Sequence, residues 1–269
     1  MGRDEHEDPG LFRDLGRMAQ VIERRQALRW LAAAGLVPLF GCGSDDASGG
    51  GSDGGTGNGD GSCSVSPEET AGPYPGDGSN GPNALSTSGV VRSDIRSSFG
   101  TLSGTAEGIL TTVTLTLVNT NANCAALSNY AIYLWHCDQS GNYSLYAQAD
   151  QNYLRGVQVT DAHGSVSFIS IFPACYSGRW PHMHIEVYPS AALATGSGNK
   201  IKTTQLALPE DACQAVYATS GYSQSATNLS RVSLASDNVF SDGYSLELAT
   251  ATGNVTDGYT VTLTIGVAA

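Results

Sequence analysis

The chain is predicted to be all-β, a β-sandwich of mainly antiparallel strands with little helix. Three observations predict this: short segments alternate apolar and polar residues, clusters rich in Gly, Asn and Asp separate them, and only one stretch carries a helical signal. Short strands of this kind each have one face to bury, and two sheets packed against each other bury them all.

Residues 1–41 read as an export signal rather than as part of the fold. A polar start ends in Glu23-Arg24-Arg25-Gln26-Ala27-Leu28-Arg29, and an apolar run over 30–40 follows. That run is too short for a membrane helix, which needs about 20 residues. The Arg24-Arg25 pair before it resembles a twin-arginine signal. Leu39-Phe40-Gly41-Cys42 resembles a lipoprotein cleavage site, so Cys42 is the expected acylated residue and a lipid anchor the expected link to a membrane. Residues 42–62 hold no large apolar side chain, so nothing there offsets the entropy of ordering the backbone. They read as a Gly/Ser/Asp-rich flexible tether with a reach of about 25 Å. Residues 63–269 are left as one domain, long enough for a real core.

The leader carries six Arg against six Asp plus Glu, so the net charge of −12 belongs to the remainder of the chain. That sign argues against nucleic acid as a partner and against charge-driven docking on anionic lipid. Five cysteines follow Cys42: Cys63, Cys124, Cys137, Cys175 and Cys213. No C-x-x-C spacing marks a thiolate metal site. Outside the cytoplasm, one or two disulfides with a thiol left over are expected, with the connectivity open.

Within the domain, strands are expected over 111–118 (TTVTLTLV), 130–135 (YAIYLW), 165–172 (SVSFISIF) and 182–188 (HMHIEVY). A closing hairpin is expected from 244–249 and 259–267 across a Gly, Asn and Asp turn. Only 209–218 suggests a short helix, with Pro209 at its start. Tyr130 and Tyr133 read as strand residues packing a sheet, His136 as a structural strand residue, and Asp161-Ala162-His163-Gly164 as a hairpin turn.

The chemistry concentrates around His182 and His184. On a strand they share one face, about 7 Å apart at Cα, so one metal can be held by both. The H-x-H spacing alone also suits zinc, copper or ferrous iron, or two surface histidines. Tyr143 and Tyr176 shift the balance, because two phenols with two imidazoles suit ferric iron; phenolate is a hard, strongly donating anion. Two alternatives stand beside this one. Glu186 lies on the same strand face and would complete a ferrous triad with His182 and His184. A non-catalytic β-sandwich binding module attached to the cell surface is the other.

Three segments occur in order: Thr70-Ala71-Gly72-Pro73-Tyr74, then Trp135-His136-Cys137-Asp138-Gln139-Ser140-Gly141-Asn142-Tyr143, then Pro173-Ala174-Cys175-Tyr176-Ser177-Gly178-Arg179-Trp180-Pro181-His182-Met183-His184. Together they resemble the intradiol ring-cleavage dioxygenases, the family of protocatechuate 3,4-dioxygenase and catechol 1,2-dioxygenase, over roughly half of the chain. The resemblance implies a non-haem Fe(III) held by Tyr143, Tyr176, His182 and His184, with Tyr176 the ligand that leaves when substrate binds. It implies that Arg179 is the active-site arginine, that Gln205 is a glutamine behind the pocket, and that Thr70, Pro73 and Tyr74 line the pocket. Arg155 would be a buried ion-pair partner organising the iron loop, or else a surface charge. The implied reaction inserts both atoms of O2 into a small aromatic diol of the catechol type. It cleaves the ring between the hydroxyl-bearing carbons to a muconate-type diacid. The choice of catechol and the oligomeric state are left open.

Overall fold

A computed structural model describes residues 63–269; the segments expected to be an export signal and a tether, with Cys42, lie outside the described residues. These form nine strands: β1 (Leu110–Asn119), β2 (Ala125–Ala126), β3 (Ala131–Trp135), β4 (Arg155–Val159), β5 (Ser165–Ile171), β6 (His182–Tyr188), β7 (Lys202–Ala207), β8 (Thr250–Asn254) and β9 (Gly258–Val267). One sheet runs β2-β1-β9-β8, with β5 also paired to β1, and the other runs β4-β3-β6-β7. Every pairing is antiparallel except β1 with β9. The predicted all-β sandwich is therefore the observed one, with two short α-helices, α1 (Glu210–Tyr217) and α2 (Ser223–Leu229).

Alternation builds the sandwich. On β1, Val113, Leu115 and Leu117 are buried while Thr112, Thr114 and Thr116 between them stay partly exposed, the period-two pattern of a half-covered strand. The inward residues meet Ile132 and Leu134 of β3, Met183, Ile185 and Val187 of β6, and Val261 and Ile265 of β9 in one core. β6 departs from the pattern, because all seven of its residues are buried. Its second face, carrying His182, His184, Glu186 and Tyr188, belongs to the outer side of the four-stranded sheet. There a second cluster, including Leu85, Val90, Phe99, Tyr133, Trp135 and Tyr143, covers it. Both histidines are thus enclosed without lying in the sandwich core.

Several sequence expectations need correction. The closing hairpin exists, but its first strand is Thr250–Asn254 rather than 244–249. The backbone of Glu247 and Leu248 turns back onto the Tyr244 carbonyl, and the segment meets β7 through a single bridge between Leu248 and Ala207. The turn over 161–164 forms, with Asp161 accepting from the amides of His163 and Ser165. It is no hairpin, however, since it carries the chain from β4 in one sheet to β5 in the other. Among the described residues one disulfide is present, Cys63–Cys124, and Cys137, Cys175 and Cys213 are buried free thiols. Among the described residues, no helix is long and apolar enough to cross a membrane.

Candidate metal centre

Strand register sets the first part of the site. Trp135, His184 and Gln205 stand in one row across β3, β6 and β7. The Trp135 ring stacks on the His184 ring at 4.9 Å with 7° between planes, which fixes the imidazole's tilt. Tyr143 arrives on the loop after β3. The Asp138 carboxylate accepts from the amides of Ser140 and Asn142 and closes that loop tightly before the tyrosine. Tyr176 arrives on the β5–β6 loop, which α2 holds: Ser225 Oγ accepts from the Cys175 amide at 3.0 Å, and Asn228 donates to the Cys175 carbonyl at 2.8 Å.

These elements bring four donor atoms together. Tyr143 Oη lies 3.2 Å from His184 Nε2 and 3.5 Å from Tyr176 Oη. Tyr176 Oη lies 3.0 Å from His182 Nε2, and the two Nε2 atoms are 3.2 Å apart. His182 Nδ1 lies 2.5 Å from the Trp180 carbonyl, a contact that makes Nδ1 the protonated nitrogen and leaves the Nε2 lone pair facing the cluster. Two imidazole lone pairs turned toward each other at that distance would repel unless a cation lay between them, and a metal-free pair would instead need one Nε2 protonated. Donors bound at about 2.0–2.1 Å to one metal stand about 2.8–3.4 Å apart in neighbouring positions, for angles between octahedral and tetrahedral. The four residues therefore fit a single ion. Among the described residues, no three His, Cys, Asp or Glu side chains form a metal site, so the phenols are indispensable to the set.

Electrostatics agree with the geometry. Burial, and then the neighbouring Tyr176, raise the Tyr143 phenol well above its ordinary range; burial likewise raises Tyr176, opposed by the Arg179 charge. Burial first, and then the Arg179 charge at His182 and the other ring at His184, push both imidazoles well below their usual value. Two neutral imidazoles and two protonated phenols are left, a set that only a strongly polarising cation would convert to phenolate.

Arg179 is buried against the centre, with Nη1 3.4 Å from His182 Nε2. Its Nη2 donates to Gln205 Oε1 at 2.7 Å, and Gln205 Nε2 donates to the Thr70 carbonyl at 2.9 Å. Its Nε donates at 2.9 Å to Asp237, which has no exposed surface and also accepts from the Trp180 amide. Asp237 escaped the sequence reading because it lies 58 residues beyond Arg179 in a segment without periodicity. Thr70 contributes its carbonyl to Gln205 and its hydroxyl to the Gly72 amide. Gly72 has φ +66°, and a Cβ there would stand 3.2 Å from His184 Cε1, so this backbone approaches the imidazole as only glycine allows. The Pro73 carbonyl accepts from Asn80. The Tyr74 ring lies 5.1 Å from that of Tyr143. Glu186 is engaged elsewhere: Lys200 donates to it at 2.6 Å and Tyr188 at 2.7 Å, which removes it from the ferrous triad. His136 is structural, held between the Cys137 carbonyl and the Ser170 hydroxyl.

Comparison with solved structures bears on this arrangement. An intradiol ring-cleavage dioxygenase from Tetranychus urticae matches with a TM-score of 0.58 and 26% identity, over 76% of this chain and 94% of that one. A further solved dioxygenase matches with a TM-score of 0.59 and 26% identity over the same shares. The chain is thus similar in fold and sequence to solved intradiol ring-cleavage dioxygenases. No family model and no curated protein matches it. The similarity agrees with the resemblance read from its motifs, and the sandwich is of the expected class.

Proposed function

We propose that the protein is a non-haem Fe(III)-dependent intradiol dioxygenase acting on a small aromatic diol and O2. The observation that carries this reading is the convergence of Tyr143, Tyr176, His182 and His184 in one enclosed cluster. Two phenolates would lower the charge of a trivalent ion to +1 and favour Fe(III) over Fe(II). When bound there, the ferric ion supplies a Lewis acid that draws electron density from a coordinated diol and makes its ring reactive toward O2.

The protein's own groups supply the rest. Tyr143 is almost fully enclosed at 4% exposure, whereas Tyr176 is half-buried. Tyr176 is therefore the phenol free to swing out, and its Oη can carry off a proton from the incoming diol, so no separate base is required. Arg179 holds a fixed positive charge beside His182, placed to stabilise negative charge developing on substrate oxygen. Asp237 and Gln205 hold that guanidinium in place, and Trp135 with the close backbone at Gly72 holds His184. The proposed setting is outside the cytoplasm, as an exported and lipid-anchored protein. The Cys63–Cys124 disulfide supports an oxidising compartment, and Arg24-Arg25 with Cys42 supports the route.

Loading the full chain with Fe(III) should give a red-brown protein through phenolate-to-iron charge transfer. It should take up O2 with catechol, protocatechuate or hydroxyquinol and yield a muconate-type acid. Tyr143→Phe and Tyr176→Phe should each weaken or shift the colour and lower turnover by at least about 100-fold. A colourless iron-bound protein, or undiminished activity in both variants, would overturn the reading.

A further inference from the structure

The geometry points to Arg155 as a positioning residue for the centre: one buried guanidinium that ties the loop carrying Tyr143 to the segment carrying Gly72 and Tyr74. The inference rests on the metal reading above and adds a residue that touches neither metal ligand atoms nor substrate.

Arg155 opens β4 and has no exposed surface. Its Nε donates to Ser144 Oγ at 3.0 Å, and Nη2 donates to the Ser144 carbonyl at 2.9 Å. The same Nη2 donates to the Tyr74 carbonyl at 2.9 Å, and Nη1 donates to the Pro75 carbonyl at 2.8 Å and to Tyr133 Oη at 3.2 Å. Five bonds leave one planar fork, and every acceptor is a neutral oxygen. The expected ion pair is therefore replaced by something else: backbone carbonyls from two segments far apart in sequence, which need donors once they are buried. Ser144 follows Tyr143 directly, and the Tyr74 ring packs on the Tyr143 ring. A bridge between those carbonyls thus sets where the Tyr143 phenol can sit relative to the backbone that approaches His184.

Two further features support a positioning role over simple satisfaction of buried carbonyls. Leu145 and Leu154, directly after Ser144 and directly before Arg155, both take left-handed backbone, with φ 69° and 56°. Bulky residues adopt that conformation only where surrounding structure imposes it. Gly76 has φ +62°, and a Cβ there would lie 2.8 Å from Arg155 Nη1, so the chain is relieved of a side chain where the fork enters.

Lysine keeps the charge but offers three donors from one point and cannot span both segments. The test compares full-length wild type, Arg155→Lys, Ser144→Ala and Thr160→Val. The last removes a buried hydroxyl that donates to the Leu127 carbonyl and accepts from the Tyr130 amide, beyond the end of β4 opposite Arg155. Fe(III) affinity is read by chelator competition, the phenolate charge-transfer maximum by visible absorption, and folding by thermal melting. Arg155→Lys should bind Fe(III) at least about 10-fold more weakly with a displaced absorption maximum, and Ser144→Ala about 3-fold more weakly with a shift in the same direction. Thr160→Val should melt earlier with affinity and maximum unchanged. Unchanged affinity and maximum in Arg155→Lys overturns the inference; should that variant not fold, the same result in Ser144→Ala does so. A wild-type chain without any charge-transfer band overturns the metal reading itself, a pattern distinct from either.

Discussion

Asp237 shows what a single carboxylate does for the centre. Its Oδ2 accepts from Arg179 Nε and the Trp180 amide, while Oδ1 accepts from the amides of Val239 and Phe240. Both oxygens are used as acceptors, so Asp237→Asn places an NH2 group against existing donors. A hydrogen bond to a charged group is worth about 1.5–3 kcal/mol, and Arg179 would lose its aim. We expect kcat/KM to fall about 10- to 100-fold with the colour of the iron-loaded protein retained, because no ligand is touched. Steady-state kinetics beside the visible spectrum check this. That Tyr143, Tyr176, His182 and His184 could share one site was legible at this scale, because the chemistry of each residue type narrows its use, whereas Arg179 was pointed to only by the family resemblance. Asp237 was not, since an aspartate in an irregular segment looks like any solvated charge. The environment of Arg155 was half legible: burial was anticipated, but its carbonyl partners are backbone and carry no sequence signal.

Among elements, strands with clean alternation were readable and short polar ones were not. β1 and β5 fall within one residue of the segments expected for them. β4 (RGVQV) and β7 (KTTQLA) lack a pattern, because buried Arg155, Thr203, Thr204 and Gln205 serve the site and its surroundings rather than a hydrophobic face. α2 (SQSATNL) has no apolar stripe; Ser225 and Asn228 tie it to the Cys175 backbone, so polar contacts do the work that periodicity normally reveals. The Cys63–Cys124 bridge fastens the first described residue to the turn after β1, with a sequence separation of 61. Chain-entropy reasoning gives such a loop about 4 kcal/mol of stabilisation. Cys63→Ser with Cys124→Ser should lower the free energy of unfolding by roughly that amount in a denaturant titration. Cys137, Cys175 and Cys213 are buried and should stay unreactive toward a thiol reagent until the protein unfolds.

At the scale of the described domain, the pH response of stability follows from buried titratable groups, Glu247 and His136 above all. Glu247 has no exposed surface and sits behind β7, accepting from Thr204 Oγ1 at 3.2 Å. Burial, and then the charge of Glu69, push its carboxyl up to about 8. The folded protein therefore holds a proton there between the ordinary glutamate range and about pH 8, while the unfolded chain gives it up. Stability from this group is complete below the unfolded value and is lost as pH rises toward 8, by at most about 1.4 kcal/mol per pH unit. His136 works in the opposite sense. Burial lowers its imidazole to about 4, so stability is lost as pH falls from the ordinary histidine range toward 4. Melting temperature should therefore decline on both sides of a maximum on the acid side of neutrality, a range in which the two effects oppose each other. Glu247→Gln keeps the shape and the acceptor for Thr204 but cannot ionise. Its melting temperature should exceed that of the parent at pH 8 and converge with it near pH 5, and a difference between variant and parent that is the same at pH 5 and pH 8 would show that Glu247 stays ionised in the fold.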